Sequence, residues 1–200
     1  GYRYKSAKVV RIITTVYVSL TLATFGSLWL AGMPLFDALN HAFSIAATGG
    51  FSTRNLSVGA FDSDAVNLVV LFFMALCAMH FGLIYAAFAT RSFKPFRNTV
   101  TKYYFGSIAV MTLIIMFSLL RDGGYESWGR ALMDSSFTVV SYMSTAGFAI
   151  CDNSVWPWFA CLVLMFVSFK GQTIMKTVNM TSSGVFVLEE GTYNRDFKSG

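Results

Sequence analysis

Two short turns hold the residues whose types and spacing suit chemistry, Thr48-Gly49-Gly50-Phe51 and Thr145-Ala146-Gly147-Phe148. Their chemistry is not that of a side-chain acid, base or nucleophile. A backbone that leaves helical geometry at membrane depth strands its carbonyls, which is tolerated only where they are buried in protein or line a water-filled cavity. Stranded carbonyls turned toward one axis replace the hydration shell of an ion. Glycine permits this, because it adopts backbone conformations closed to residues with a Cβ. Thr48 and Thr145 add hydroxyl oxygens. Each turn follows a short helix-like stretch whose partially negative C-terminal end favours a cation. A single Thr-x-Gly-Phe between apolar segments is an ordinary turn. Two in register behind matched short helices read as parts of a pore.

The elements that must position these turns are membrane spans. With glycine included, about 63% of the 200 residues are apolar and only 12% are charged, roughly half the charge of a soluble domain. Such a chain cannot clothe a soluble surface. The net charge of +5 does not indicate nucleic acid either, because Lys and Arg flank long uncharged runs instead of clustering on one face. Four runs carry no charge: 12–33, 65–90, 103–120 and 153–169. About 20 apolar residues in a helix cross the hydrocarbon of a bilayer. Between the members of each pair lie stretches too short and polar to span, 35–48 and 131–145.

The order span, short helix, glycine turn, span therefore occurs twice. Residues 36–51 superpose on 133–148 without a gap at an offset of 97, matching Asp37 with Asp134, Ser44 with Ser141, and Thr48, Gly50 and Phe51 with Thr145, Gly147 and Phe148. The expected organisation is repeat A over 1–98, with span 12–33, pore helix 35–48, filter 48–52 and span 65–90. Repeat B covers 99–188, with span 103–120, pore helix 131–145, filter 145–148 and span 153–169 followed by an atypical continuation. Residues 189–200 form a polar tail.

Orientation follows from the basic residues. Arg3, Lys5, Lys8 and Arg11, and then Arg91, Lys94, Arg97 and Lys102, mark two cytoplasmic segments, whereas the re-entrant segments hold only Arg54, Arg121 and Arg130. Asp37, Asp62, Asp64, Asp122, Glu126, Asp134 and Asp152 then lie outside, as an acidic vestibule that concentrates cations. Tyr103, Tyr104, Trp156 and Trp158 stand at span ends as interfacial anchors. Cys77, Cys151 and Cys161 have no paired spacing and read as small apolar residues. His41 and His80 read as packed or hydrogen-bonded, since no second ligand stands beside them at metal spacing. No nucleotide loop, nucleophile elbow or zinc-protease motif occurs, so catalysis has no candidate residues. The opening Gly-Tyr-Arg-Tyr-Lys, without initiator Met or signal-peptide arrangement, reads as the start of a segment of a longer protein.

Residues 35–53, Leu-Phe-Asp-Ala-Leu-Asn-His-Ala-Phe-Ser-Ile-Ala-Ala-Thr-Gly-Gly-Phe-Ser-Thr, resemble the second pore-loop signature of the bacterial Trk/Ktr potassium transporters. Ser144-Thr-Ala-Gly-Phe148 with Trp156-Pro157 resembles the third. The resemblance implies an all-α integral membrane fold of tandem helix, pore-loop, helix repeats of the potassium-channel-like type, four around one pore, of which this chain holds the middle two. It implies potassium as the transported ion, with no covalently bound cofactor, coordinated by backbone carbonyls at Thr48, Gly49, Gly50, Phe51, Thr145, Ala146, Gly147 and Phe148. It also implies a homodimeric, multi-pass subunit of the cell membrane, controlled by a cytosolic nucleotide-binding regulatory subunit. The family's gate is a glycine-rich helix break, and the corresponding stretch here, 169–179, is shorter, with Lys170, Gly171 and Lys176 and a single glycine. Lys170 and Lys176 also fit plain cytoplasmic flanking charge. Two functions of different class follow: transport of potassium or another monovalent cation, or a non-conducting membrane scaffold or sensor that keeps the fold. Two loops are two quarters of a filter, so the rest come from further repeats of a longer chain or from a second copy.

Overall fold

The computed structural model describes residues 2–79, 99–125 and 127–169. Within them repeat A consists of α1 (Tyr2–Leu30), α2 (Leu35–Ala46), a 3-10 turn (Ser57–Phe61) and α3 (Asp64–Cys77). Repeat B consists of α4 (Thr99–Arg121), α5 (Trp128–Met143), a 3-10 turn (Asn153–Val155) and α6 (Trp158–Phe169). No strand occurs among the described residues.

Among the described residues two helices are long and apolar enough to cross a membrane, α1 through Ile13–Leu30 and α4 through Thr101–Arg121. At 1.5 Å per residue an 18-residue window covers about 27 Å. The apolar helix α3 begins where span 65–90 was expected and is described to Cys77, and residues 80–90 lie outside the described set. The span expected at 153 starts later, at Trp158. Asp152 accepts a hydrogen bond from the Ser154 amide at 2.9 Å and winds 153–155 into a 3-10 turn, and Pro157 lies just ahead of the helix. The short helices end two residues earlier than their expected bounds, at Ala46 and Met143, and α5 starts earlier, at Trp128.

Helix α2 packs against α1 and α3, α5 packs against α4, and α3 joins the repeats by packing on α5. Leu28, Ile45, Val58, Val70 and Met74 from repeat A share one apolar core with Ile115, Phe137, Val140 and Met143 from repeat B. Leu22, Phe72, Leu113, Phe117, Met165 and Phe166 point outward, an apolar exterior that suits lipid and not water. Of the four expected anchors, Tyr103 and Trp158 are exposed, but Tyr104 and Trp156 are buried. Neighbouring residues on a helix point about 100° apart, so Tyr103 and Tyr104 cannot share one face. Tyr104 turns inward and donates its hydroxyl proton to the Ala75 carbonyl at 3.4 Å, tying α4 to α3.

Helix ends set the two turns. After α2 the Gly49 amide donates to Ser44 O at 2.7 Å and the Thr48 amide to Ile45 O at 3.0 Å; after α5 the Ala146 amide donates to Ser141 O at 3.0 Å and the Thr145 amide to Tyr142 O at 3.3 Å. This double bond pattern is the Schellman motif, which requires a left-handed residue just past the cap. Helices α1 and α4 place glycine there, Gly32 at φ +97° and Gly123 at φ +77°. Helices α2 and α5 place threonine there, Thr48 at φ +50° and Thr145 at φ +56°. A β-branched residue in that region is a genuine outlier, held at a cost of about 1–2 kcal/mol. Thr48→Gly and Thr145→Gly are accordingly expected to raise stability by about 1 kcal/mol each, read as a higher unfolding midpoint in detergent. A lowered midpoint in both would refute the strain assignment.

Candidate functional site

Beyond the caps the two turns continue alike. Gly49 and Ala146 return to negative φ, and Gly50 and Gly147 are again left-handed, at φ +69° and +78°. Every sign in the first turn therefore recurs 97 residues later. Residues alternating in handedness turn successive carbonyls toward the same side, where a strand would alternate them. Among the described residues the carbonyls of Thr48, Gly49, Gly50, Phe51, Thr145, Ala146 and Gly147 accept no hydrogen bond. Phe148 O is the exception, accepting the buried Ser141 hydroxyl at 2.6 Å.

The turns meet. A Cβ at Gly50 would collide with the Ala146 carbonyl oxygen and come within 3.3 Å of the Gly147 Cα, so only glycine allows this approach. At Gly147 a Cβ would find only Gly50 Cα, at 4.0 Å. The aromatic residues that follow differ sharply: Phe148 is 3% exposed and Phe51 is 81% exposed. Phe148 reaches across to repeat A, stacked on the His41 ring with centroids 5.9 Å apart. Phe51 has no equivalent seat here, and its ring lies beside its own Gly49. The serines follow suit, for Ser141 reaches the Phe148 carbonyl while the buried Ser44 hydroxyl, its counterpart in repeat A, has no partner among the described residues.

Different devices hold the two exits. In repeat A, Asp37 on α2 accepts from the Thr53 hydroxyl at 2.6 Å and from the Arg54 guanidinium at 2.8 Å. These two partners, the hydroxyl first, hold its carboxyl below the usual carboxylate range. One turn along α2, His41 is fully buried, with Nδ1 at 2.8 Å from Asp37 O and Nε2 at 2.9 Å from Ser52 Oγ. Phe61 stands edge-on to His41 and beneath Arg54. In repeat B the positions 97 residues after His41, Ser52, Thr53 and Arg54 are Thr138, Ala149, Ile150 and Cys151, and that staple is missing. Repeat A holds this exit instead: Ala149 N donates to Ser57 Oγ at 3.2 Å and Gly59 N donates to Ala149 O at 3.1 Å. A Cβ at Gly59 would stand 2.7 Å from Ile150 O, so glycine is required here too.

The structure thus brings the two expected turns together where Gly50 meets Ala146 and Gly147. The Thr48 hydroxyl donates to Ala47 O at 2.8 Å, which leaves its lone pairs free to accept. The expected gate residues Lys170, Gly171 and Lys176, together with His80, lie outside the described residues. The acidic vestibule needs correction. Asp37 and Asp134 are buried and paired, Asp134 with the Tyr125 hydroxyl at 2.8 Å and with Arg130 at 3.5 Å. Asp37 in the first turn of α2 and Asp134 in the second turn of α5, each beside an arginine, carry structure more than free outer charge. Sequence reading missed Ser57, Gly59, Thr53 and Arg54 as supports of the turns. Ser141 and Asp37 were within reach, since both fall on matched positions of the duplication.

The family profile described as TrkH, cation transport protein, matches residues 3–121. The Trk system potassium uptake protein TrkH of Vibrio parahaemolyticus is 38% identical over 174 residues, 82% of this chain and 35% of its own length. The protein of that name in Salmonella typhimurium is 35% identical over 170 residues, 84% of this chain and 35% of its own. The crystal structure of the potassium transporter TrkH from Vibrio parahaemolyticus superposes with a TM-score of 0.78 at 33% identity, covering 94% of this chain and 43% of that one. The chain thus spans about a third of the length of these relatives. Its family is one of transporters and not of enzymes, and its fold is an all-helical membrane fold built from pore-loop repeats. The two matched turns, the paired helices and the profile match together place this chain in the TrkH family of cation transport proteins.

Proposed function

We propose that the two turns are two quarters of a filter that passes potassium across the cell membrane, within a larger transporter of which this chain is part. The observation that carries the reading is the set of seven carbonyls without hydrogen bonds, in two abutting turns of one backbone pattern. Such oxygens are tolerated inside a membrane only beside protein, water or an ion. An ion entering the filter exchanges water oxygens for these carbonyls, and no covalent chemistry is involved. The names of the relatives, potassium uptake proteins, support potassium as the ion.

Two quarters enclose nothing by themselves. The exposed Phe51 and the unpartnered Ser44 hydroxyl stand where repeat B has a seated Phe148 and a satisfied Ser141. In this reading the missing seat belongs to another pore-loop repeat, supplied by a longer chain or by a second copy. A homodimeric multi-pass subunit and a cytosolic nucleotide-binding regulator complete the proposal, on the strength of the family.

The test exploits the unequal space at the two glycines. Gly50→Ala adds a collision to its backbone strain, whereas Gly147→Ala adds strain alone, about 1–2 kcal/mol. In the full transporter, Gly50→Ala is expected to abolish potassium uptake into transport-deficient cells, and Gly147→Ala to lower it partially, both at normal membrane abundance. Parental uptake in both variants would sink the filter assignment. In liposomes carrying the parent protein, potassium flux above the protein-free background is expected. A fully folded protein with no flux would favour the scaffold reading.

A further inference from the structure

His41 is the one side chain among the described residues seen to touch the exits of both turns. Its Nε2 stands 2.9 Å from the Ser52 hydroxyl, next in sequence to Phe51, and its ring stacks on Phe148 at 5.9 Å with 26° between the planes. The hydrogen bond to the Asp37 carbonyl fixes the role of Nδ1. A carbonyl only accepts, so Nδ1 carries the proton it gives to Asp37 O. Ser52 Oγ accepts from the Arg54 amide at 3.1 Å and shares a second hydrogen bond with Nε2.

We propose that His41 is a positioning residue for ion selection, setting the spacing of one filter loop against the other through Ser52 on one side and Phe148 on the other. The proposal rests on the filter reading above. A selective filter needs carbonyls held at fixed separations, and held positions come from side chains locked by packing and by second contacts. His41 is locked on every side: 0% exposed, bonded at both nitrogens, stacked on Phe148 and met edge-on by Phe61 at 5.5 Å. Repeat B has Thr138 at the equivalent position, so the duplication alone does not account for a histidine here.

The test is the ratio of potassium to sodium flux in liposomes containing the full transporter. His41→Phe keeps an aromatic ring for the stack and loses both hydrogen bonds. It is expected to lower the ratio about tenfold, the factor carried by a buried hydrogen bond, while total cation flux persists. His41→Gln restores an amide partner for Ser52 and is expected to recover part of the ratio. Ser52→Ala, which leaves the ring untouched, is expected to lower the ratio as well, and the His41→Phe/Ser52→Ala double variant to lose little more than either alone. A parental ratio in His41→Phe overturns the proposal. Where that variant does not reach the membrane, Ser52→Ala decides alone, a lowered ratio supporting the proposal and a parental ratio overturning it. A parent that carries no cation at all overturns the transport reading, and this one with it.

Discussion

The constraint on which this structure depends is that a row of peptide carbonyls must be kept away from every backbone donor. A helix or strand pairs its carbonyls automatically. Here the chain has to leave regular structure without letting the oxygens find new partners, and it does so twice by alternating the handedness of successive residues. The Schellman bonds satisfy the carbonyls of Ser44, Ile45, Ser141 and Tyr142 just before the turns. Past them, the supply of amide donors facing the oxygens ends. The cost of unpaired carbonyls falls on the folded protein until water or an ion meets them.

Holding such a turn takes support from outside it, and the two turns draw support from different places. The first is fastened to α2, the helix before it, by Asp37 and His41. The second is fastened to the neighbouring repeat by Ser57, Gly59 and the seat of Phe148 on His41. The pattern has a direction, because repeat A provides the seat and the clasp while repeat B receives them. Head-to-tail contacts of this kind build rings when the rotation closes. In the proposed reading the exposed Phe51, an apolar ring beside the first turn, is the open end of that sequence.

Much of this was legible in the residues themselves. Charge-free runs located the long helices because lipid excludes charge, and the 97-residue offset located both turns because backbone geometry of this kind leaves a glycine signature. Termini were harder to read: α6 starts at Trp158 and not at 153 because the Asp152 side chain caps a separate 3-10 turn, a contact no hydropathy pattern records. Facing was harder still. Tyr104 and Trp156 have the composition of interfacial anchors, yet both are buried. Asp37 and Asp134 counted as outer charge until their partners 17 and 4 residues away were visible. Periodicity reports which face is apolar, but not which polar residue on that face has found a partner.

The contrast between glycine and threonine at the helix ends shows where stability is given up. Four helices close with a left-handed residue, and the two that end away from the turns, α1 and α4, use the unstrained choice. The two that lead into the turns use threonine, at a cost of about 1–2 kcal/mol each. Backbone strain persists only where the surroundings over-determine it. Here the surroundings are the Schellman bonds, the Gly50 and Ala146 contact and the two sets of exit supports. What threonine adds at that position is a hydroxyl oxygen at the first free carbonyl of each turn, together with a stiff Cβ that resists relaxation back into helix. A glycine there would make the cap cheaper and would also let the carbonyl row swing. The strain and the site are therefore one feature, since the conformation that costs stability is the one that turns the oxygens outward.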